Sequence, residues 1–335
     1  MRFRGLELPC LEVEIAQRPF YSLLEVLTGS RRGPRVLVVS PLSGHRIVLL
    51  RDLVAALVPC HSVFVIEWRD ASLIPAWHGP FSLDENIDCV LEVLRLLGPD
   101  LHLIALSQSP VPCLAATALA AMENDAPQPK SLTLISGFLD PGLNPTRVAR
   151  FVNGLRVETL AESVIETVPD GWPGAGRLVY PATTQKTALG CYLARHLIEG
   201  RELLWKMLWD DSLARRLRFL RAYFDVQDLA AEIFLDTVDK VFHQRLLPRG
   251  RLMWRGVRIV PEAITRTALM TVEGGMDDAS GLCQTGVAHA LCRNVPERRR
   301  AHYCEPGVGH FGTFHGRAWR ERIAPRVARF IAAQS

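Results

Sequence analysis

The chain of 335 residues is 48% hydrophobic and carries a formal net charge of +4 at pH 7. This composition suits one large globular domain, or one with a sizeable insertion, and argues against extended disorder. The small net charge gives no indication of nucleic-acid binding, and no charge-free apolar stretch reaches the roughly 18 residues of a membrane span.

Apolar, β-branched runs alternate with helical patterns in the first part of the chain. Strands are predicted at RVLVVS (35–40), VFVIEW (63–68), LHLIAL (101–106) and SLTLIS (131–136), with helices at 82–98 and 109–123. The first helix begins with a capping box, formed by Ser82 and by Glu85 three residues later. Strand–helix–strand units at this spacing predict an α/β fold with a mostly parallel sheet and helices on both faces.

The pattern changes after residue 144. From about 145 to 262 the chain looks mainly helical, with long amphipathic segments at 186–209 and 212–243. Strand ALMTVEG (268–274), helix 283–293, strand AHYCEP (301–306) and helix 317–333 then follow. We therefore predict an α/β core built from residues 1–144 and 263–335, interrupted by a helical cap insertion at 145–262.

One stretch, ALSQSPVP (105–112), places a polar residue between a strand and a helix. Ser107 follows the strand, and the small residues Ala105 and Ser109 stand two positions to either side of it. This is a variant of the G-x-S-x-G nucleophile elbow, a strained turn where neighbouring chains pass close by. The same placement suits a helix N-cap, so both interpretations are open at this point.

Two later residues stand in the order that a nucleophile–acid–base triad has in sheets of this kind. Asp277 follows ALMTVEG and His310 follows AHYCEP, each past the carboxyl end of a predicted strand. We therefore predict a Ser107–Asp277–His310 triad. The alternatives are an Asp277–Asp278 pair that only caps a turn or a helix, Asp140 as the acid, and a His310 that bonds only to backbone.

The predicted roles follow from the chemistry of a hydroxyl nucleophile. A serine hydroxyl needs a base to take its proton, here His310, and Asp277 would fix the tautomer of that imidazole. The developing oxyanion needs backbone N–H donors. The candidates are Gln108, directly after the nucleophile, and Leu42 in the loop SPLSGH, with Ser43 as second choice for the loop.

Eight cysteines are scattered without C-x-x-C pairs or zinc-site spacing to histidine. The N-terminus lacks the long apolar core of a signal peptide. We expect a cytoplasmic protein with free thiols, most of them buried. No metal or nucleotide cofactor is expected, since there is no P-loop and no G-x-G-x-x-G after the first predicted strand.

Several long motifs resemble the intracellular polyhydroxyalkanoate depolymerases, an α/β-hydrolase branch related to the polyester synthases. They are SPLSGH, EWRDASLIPAWHGPFSLDENIDCVLEVLRLLGPDLHLIALSQS, DLAAEIFLDTVDKVF, VEGGMDDASGLCQTGVAHALC and GVGHFGTFHGRAWR. The resemblance runs from about residue 15 to 333. It implies an α/β-hydrolase fold, nucleophile, acid and base at Ser107, Asp277 and His310, and cleavage of storage polyesters such as poly(3-hydroxybutyrate) on granules inside the cell.

The nucleophile position departs from this family. Well-known members carry Cys in a C-Q-P setting where the chain has Ser107 in S-Q-S. Serine is a competent ester-cleaving nucleophile, so hydrolysis is still expected. Longer members also carry an N-terminal stretch ahead of the part that resembles this chain.

The expected partners are a polyester polymer or oligoester and the surface of its granule, with no nucleic acid. Six aromatic residues of the insertion are candidates for helix packing or for an apolar slot that holds the polymer: Trp172, Trp205, Trp209, Phe219, Tyr223 and Phe224. The rival functions are a short-chain carboxylesterase, an acyltransferase akin to the polyester synthases, and a granule-binding protein that has lost catalysis.

Overall fold

The computed structural model describes residues 2–3, 6–7, 10–28, 33–43, 47–123, 126–198 and 212–335. Its centre is an eight-stranded sheet. In chain order the strands are β1 (Leu11–Gln17), β2 (Tyr21–Leu27), β3 (Arg35–Val39), β4 (Ser62–Trp68), β5 (Leu101–Leu106), β6 (Ser131–Ile135), β7 (Ala268–Gly274) and β8 (Arg300–Glu305). Strands β3 to β8 confirm the six strands that the sequence predicts.

The order of strands across the sheet is β8-β7-β6-β5-β3-β4-β2-β1. Strands β3 to β8 run parallel to one another, which confirms the mostly parallel sheet. Strand β2 pairs antiparallel with both β4 and β1, so the sheet has an additional antiparallel edge. Because parallel strands end at the same edge of a sheet, the loops after β3, β5, β6, β7 and β8 share that edge.

Helices cover both faces of this sheet. They are α1 (Arg51–Leu57), α2 (Leu83–Leu97), α3 (Pro110–Met122), α4 (Arg147–Asn153), α5 (Val157–Val164), α6 (Ala182–Ile198), α7 (Leu213–Tyr223), α8 (Ala231–Asp236), α9 (Ala288–Leu291) and α10 (Ala324–Ala332). Single 3₁₀ turns lie at Ile47–Leu50, Ala71–Leu73, Ala76–His78, Pro261–Ala263, Glu297–Arg299 and Phe311–Thr313. Within the described ranges, no helix is both long and apolar enough to cross a membrane.

Two helices have π-helical neighbours. Helix α8 continues as the π-helical stretch Thr237–His243. Helix α10 follows a short helix, Gly316–Ala318, and a π-helical stretch, Trp319–Ile323. Helix α2 carries the predicted capping box, in which the Ser82 backbone N–H donates to Glu85 Oε2 at 2.8 Å.

The parallel strands bury both of their faces, because successive side chains point to opposite sides of the sheet. In β3, Leu37 and Val39 pack in the apolar cluster that includes the buried sides of α2 and α3. Their neighbours Val36 and Val38 pack in the cluster of α1 and α10 on the other side. This burial of both faces explains why the sequences of these strands are continuous apolar runs.

The helical structure of segment 145–262 is less continuous than predicted. The predicted helix at 186–209 is present as α6, and residues 199–211 lie outside the described part. The predicted long segment at 212–243 is broken, because Leu229–Ala230 forms a short strand beside Leu178–Tyr180. That central strand of the small sheet also pairs with Glu166–Thr167.

The predicted helix over 283–293 is wrong, since only α9 within it is α-helical. The buried Glu273 carboxylate accepts hydrogen bonds from the backbone N–H groups of Cys283, Thr285 and Gly286 at 3.0, 2.8 and 2.8 Å. These bonds hold the segment in turns, and Cys283 has a positive φ of 72° that interrupts a helix.

All eight cysteines are free thiols, as expected. The expectation that most are buried is wrong: only Cys113 and Cys292 are buried, whereas Cys60, Cys191 and Cys283 are exposed.

Candidate active site

Ser107 occupies a strained turn between β5 and α3. Its backbone φ of 58° lies in the left-handed region, which residues other than glycine rarely adopt. Its backbone N–H donates to the Ile135 carbonyl of the neighbouring strand at 2.9 Å. The residue at the N-cap of α3 is Ser109, not Ser107. The helix-capping interpretation of Ser107 is therefore wrong, and its hydroxyl is available for another partner.

The loops after β7 and β8 are joined to each other by backbone hydrogen bonds. Gly275 N donates to Glu305 O at 2.9 Å, and Met276 N donates to Val308 O at 3.0 Å. The backbones pass so close that a Cβ built on Gly274 would lie 2.5 Å from Val308 O. Glycine at 274 therefore permits the approach that brings the two loops together.

The side chains of Ser107, His310 and Asp277 form a chain of hydrogen bonds. Ser107 Oγ lies 3.0 Å from His310 Nε2, and His310 Nδ1 lies 2.9 Å from Asp277 Oδ2. A carboxylate only accepts hydrogen bonds, so the proton belongs on Nδ1, which leaves Nε2 free to accept from the serine hydroxyl. The His310 and Asp277 side chains are 6% and 2% exposed, so bulk water scarcely screens their contact.

The two carboxylate oxygens of Asp277 have different partners. Oδ1 accepts from the backbone N–H groups of Ala279 and Ser280 at 2.9 and 2.8 Å, while Oδ2 faces His310. The turn-capping interpretation and the contact with the imidazole therefore both hold, on separate oxygens. The capped turn fixes the direction in which Oδ2 points.

Asp140, the alternative acid, has a different partner. Arg245 Nε donates to its Oδ1 at 2.6 Å, and Arg245 Nη2 donates to its Oδ2 at 2.8 Å. This two-pronged pairing engages both carboxylate oxygens. Among the described residues, Asp277 is the carboxylate that contacts the His310 ring directly.

The imidazole of His310 has a raised pKa. Burial acts to lower the pKa, but the Asp277 charge, its hydrogen bond to Nδ1 and the charge of Asp278 together outweigh burial. The ring therefore holds a proton more readily than an ordinary histidine, which suits a group that must accept one from a hydroxyl.

The oxyanion candidates lie on neighbouring segments. Leu42 follows β3, which pairs with β5, and the elbow after β5 carries Gln108. Ser109 Oγ donates to Ser40 O at 2.5 Å, and Trp68 Nε1 donates to the same carbonyl at 2.9 Å. The Ser109 bond ties the start of the Leu42 loop to the elbow, and the Trp68 bond ties it to the end of β4. The use of Gln108 and Leu42 as oxyanion donors stays a prediction.

The aromatic candidates of segment 145–262 divide into buried and exposed side chains. Phe219 and Tyr223 are 2% and 0% exposed and belong to the core, so helix packing accounts for them. Trp172 is 53% exposed. Trp205 and Trp209 lie outside the described residues. Phe224 is half-buried against Tyr223, with ring centroids 5.0 Å apart.

Two acids near the proposed triad have contacts that the sequence does not predict. Glu273 anchors the segment after Asp277, and the only sign of this in the sequence is that it is the single charged residue of the strand ALMTVEG. Asp278 contacts helix α6, which only the tertiary structure brings near.

The sheet, the strained serine turn and the joined loops after β7 and β8 give the chain an α/β-hydrolase fold. Monoacylglycerol lipase from Paleococcus ferrophilus and a carboxylesterase from Nitrososphaera gargenis each have a TM-score of 0.54 at 12% identity, over 98% of this chain and 100% of theirs. Bromoperoxidase from Bacillus anthracis has a TM-score of 0.52 at 12% identity, over 97% of this chain and 100% of its own. At such identities these structures establish the fold alone.

Residues 136–335 match the family described as PHB de-polymerase C-terminus. This is more than half of the chain, and the chain belongs to that family. By class it is an ester hydrolase. A comparison with curated proteins finds no match. The matched part includes Asp277 and His310 but begins after Ser107, so Ser107 is assigned from the geometry of its contacts.

Proposed function

We propose that the protein hydrolyses ester bonds in a poly(3-hydroxybutyrate)-type polyester or its oligomers. The observation that carries this proposal is the hydrogen-bonded chain from Ser107 through His310 to Asp277. Membership of the PHB de-polymerase family supports a polyester as the substrate class. The cytoplasm, at the surface of polyester granules, is the proposed location.

In the acylation step, Ser107 Oγ attacks the ester carbonyl carbon while His310 Nε2 takes the hydroxyl proton. Asp277 holds the ring in the required tautomer and stabilises the imidazolium that forms. The tetrahedral intermediate collapses with cleavage of the carbon–oxygen bond to the leaving alcohol. His310 returns its proton to that oxygen, so the products are an acyl-enzyme and a shortened chain with a free hydroxyl.

In the deacylation step, His310 takes a proton from water, whose oxygen attacks the acyl carbon. The Ser107 oxygen leaves and recovers the proton, which releases a carboxylic acid and restores the serine. In both steps the backbone N–H groups of Gln108 and Leu42 are the proposed donors to the oxyanion. Loss of one such donor typically costs about 10²–10³ in rate.

We also propose that residues 145–262 form a cap over the site. The Phe242 ring of this segment lies 5.5 Å from Phe138, whose ring lies 6.0 Å from His310. Aromatic side chains around the base offer apolar surface of the kind that a hydroxyalkanoate chain would bury.

The decisive experiment measures 3-hydroxybutyrate released from amorphous poly(3-hydroxybutyrate) granules by the wild type and by Ser107→Ala. We expect release by the wild type and its loss in the variant, because removal of the nucleophile from such a triad costs about 10⁶ in kcat. Ser136→Ala is the matched control. Ser136 is another buried serine with positive φ, directly after the adjacent strand β6, and its hydroxyl contacts Thr313 at 2.9 Å rather than His310. It should keep most of the activity.

A p-nitrophenyl ester assay separates the rival functions. Cleavage of this ester without release from granules or oligomers would contradict the polyester assignment and indicate a short-chain carboxylesterase. Granule binding without turnover of either substrate would indicate a binding protein that has lost catalysis.

A further inference from the structure

Asp278 joins the loop after β7 to helix α6 of the proposed cap. The Tyr192 hydroxyl donates to Asp278 Oδ1, and Arg195 Nη2 donates to Oδ2. His196 Nε2 lies 3.1 Å from Oδ2. Three side chains within two turns of one helix therefore converge on a single carboxylate.

This contact is largely withdrawn from water. The Asp278 side chain is 13% exposed and that of His196 is 3% exposed. Burial acts to raise the pKa of the Asp278 carboxyl, but its contacts with His196 and Tyr192 and the positive charge of Arg195 lower the pKa overall. Burial and the negative charge of Asp278 raise the pKa of Tyr192, so its phenol stays protonated and donates.

The same carboxylate stands directly beside the proposed catalytic acid. Asp278 follows Asp277 in the chain, and its charge, like that of Asp277, acts to raise the pKa of His310. Helix α6 also makes a contact near the base. The Tyr192 ring packs against Phe311, the neighbour of His310, with 6.5 Å between the ring centroids. Helix α6 therefore contacts both loops that carry the acid and the base.

We propose that Asp278 is a positioning residue, which couples helix α6 to the Asp277–His310 pair. This inference rests on the proposed Ser107–His310–Asp277 triad. The Asp278 carboxylate holds the Asp277 loop against helix α6 and adds a second negative charge near the imidazole. A polyester chain that moves α6 on binding would thereby act on the hydrogen bond between Asp277 and His310.

The test uses Asp278→Asn, which keeps the shape of the side chain and removes its charge. Among the described residues, the ionisable groups that face Asp278 are Tyr192, Arg195 and His196 from α6, Tyr223 from α7, and Asp277 and His310 from the loops. We expect the titration midpoint of the His310 imidazole to fall, as measured by NMR of the full chain labelled in its histidine rings. For a p-nitrophenyl ester, kcat should fall about 10-fold and KM stay within about twofold, short of the roughly 10²-fold cost of a 1 Å misplacement.

Asp140→Asn is the matched control. It also removes a carboxylate paired with an arginine of segment 145–262, but on the loop after β6. It should lower the melting temperature without moving the His310 titration or kcat. Tyr192→Phe is a second variant that leaves the Asp278 charge in place and removes one hydrogen bond from α6. It should lower kcat and leave the His310 midpoint near that of the wild type.

The proposal is overturned if Asp278→Asn and Tyr192→Phe lower only the melting temperature and keep the wild-type titration and kcat. The histidine titration needs no turnover. If the wild type cleaves no ester while the His310 midpoint still falls in Asp278→Asn, the proposed function fails and the electrostatic coupling stands.

Discussion

The protonation of His310 sets the pH range in which the proposed site can act. A protonated imidazole cannot accept the Ser107 proton, so activity is present above the pKa of His310 and is lost as pH falls through it. The contribution of His310 to folding stability changes with pH in the opposite direction to activity. Because the folded pKa is raised, His310 contributes stability that is fully present below its ordinary pKa of 6.5 and is lost as pH rises through the raised value.

Replacing the acid tests the predicted pH dependence of activity. The acid limb of the wild-type kcat/KM profile should lie above pH 6.5, because the pKa of His310 is raised. In Asp277→Asn this limb should move to lower pH, since the charge and hydrogen bond that raise the pKa are gone. An amide also favours the wrong tautomer of the imidazole, so kcat should fall about 10⁴-fold.

The measurement is a profile of p-nitrophenyl ester hydrolysis from pH 5 to 9, with Asp140→Asn as the control. Asp140 pairs with Arg245, so its variant should keep the wild-type limb. If Asp140→Asn loses activity and Asp277→Asn keeps it, then Asp140 and not Asp277 is the acid.

At the scale of elements, the sequence predicts the parallel strands well because each is buried on both faces. Strands β1 and β2 are missing from the prediction: β1 lies at the exposed edge, and its apolar residues alternate with glutamates. The helix predicted at 283–293 fails because the Glu273 carboxylate takes the backbone N–H groups that a helix would use. The order of Ser107, Asp277 and His310 is readable from the chain, whereas the contacts of Asp278 with α6 depend on tertiary placement.

Strand β7 approaches the loop after β8 closely at Gly274, so a larger side chain there should disturb the His310 loop. In Gly274→Ala the new methyl group would lie 2.5 Å from Val308 O, a backbone atom that cannot move without shifting the His310 loop. We expect a lower melting temperature and a fall in kcat of about 10²-fold, the typical cost of a 1 Å misplacement.

Gly190→Ala is the matched control, since nothing lies within 4 Å of a Cβ at that position in α6. Alanine is favoured over glycine in a helix by about 1 kcal/mol, so this variant should be at least as stable as the wild type and fully active. If Gly274→Ala keeps the wild-type kcat, the close approach does not position His310.

For the molecule as a whole, the proposed cap and the sheet share their apolar cores. Phe219 and Tyr223 of α7 belong to the same buried cluster as Val36 and Val38 of β3. Ile233 of α8 belongs to the cluster on the other face of the sheet. Segment 145–262 is therefore not packed as a separate unit, and its unfolding should be coupled to that of the sheet.

A single substitution in the shared core tests this coupling. Phe219 is 2% exposed and packs against Phe311 with ring centroids 5.8 Å apart. Phe219→Ala should cost about 3–5 kcal/mol, because it leaves a cavity in a core that both segments build. Scanning calorimetry should record one transition, lowered by on the order of 5 °C, that coincides with the loss of ester hydrolysis.

The surface variant Phe151→Ala separates coupling from a general sensitivity of the segment. Phe151 lies on α4 and is 68% exposed, so its loss should leave the melting temperature nearly unchanged. If segment 145–262 unfolded independently, Phe219→Ala would split the calorimetric trace into two transitions. The upper one would stay at the wild-type temperature, because the sheet would no longer depend on the core that Phe219 fills. A single shifted transition instead makes the proposed cap part of the cooperative unit that holds Ser107, His310 and Asp277 together.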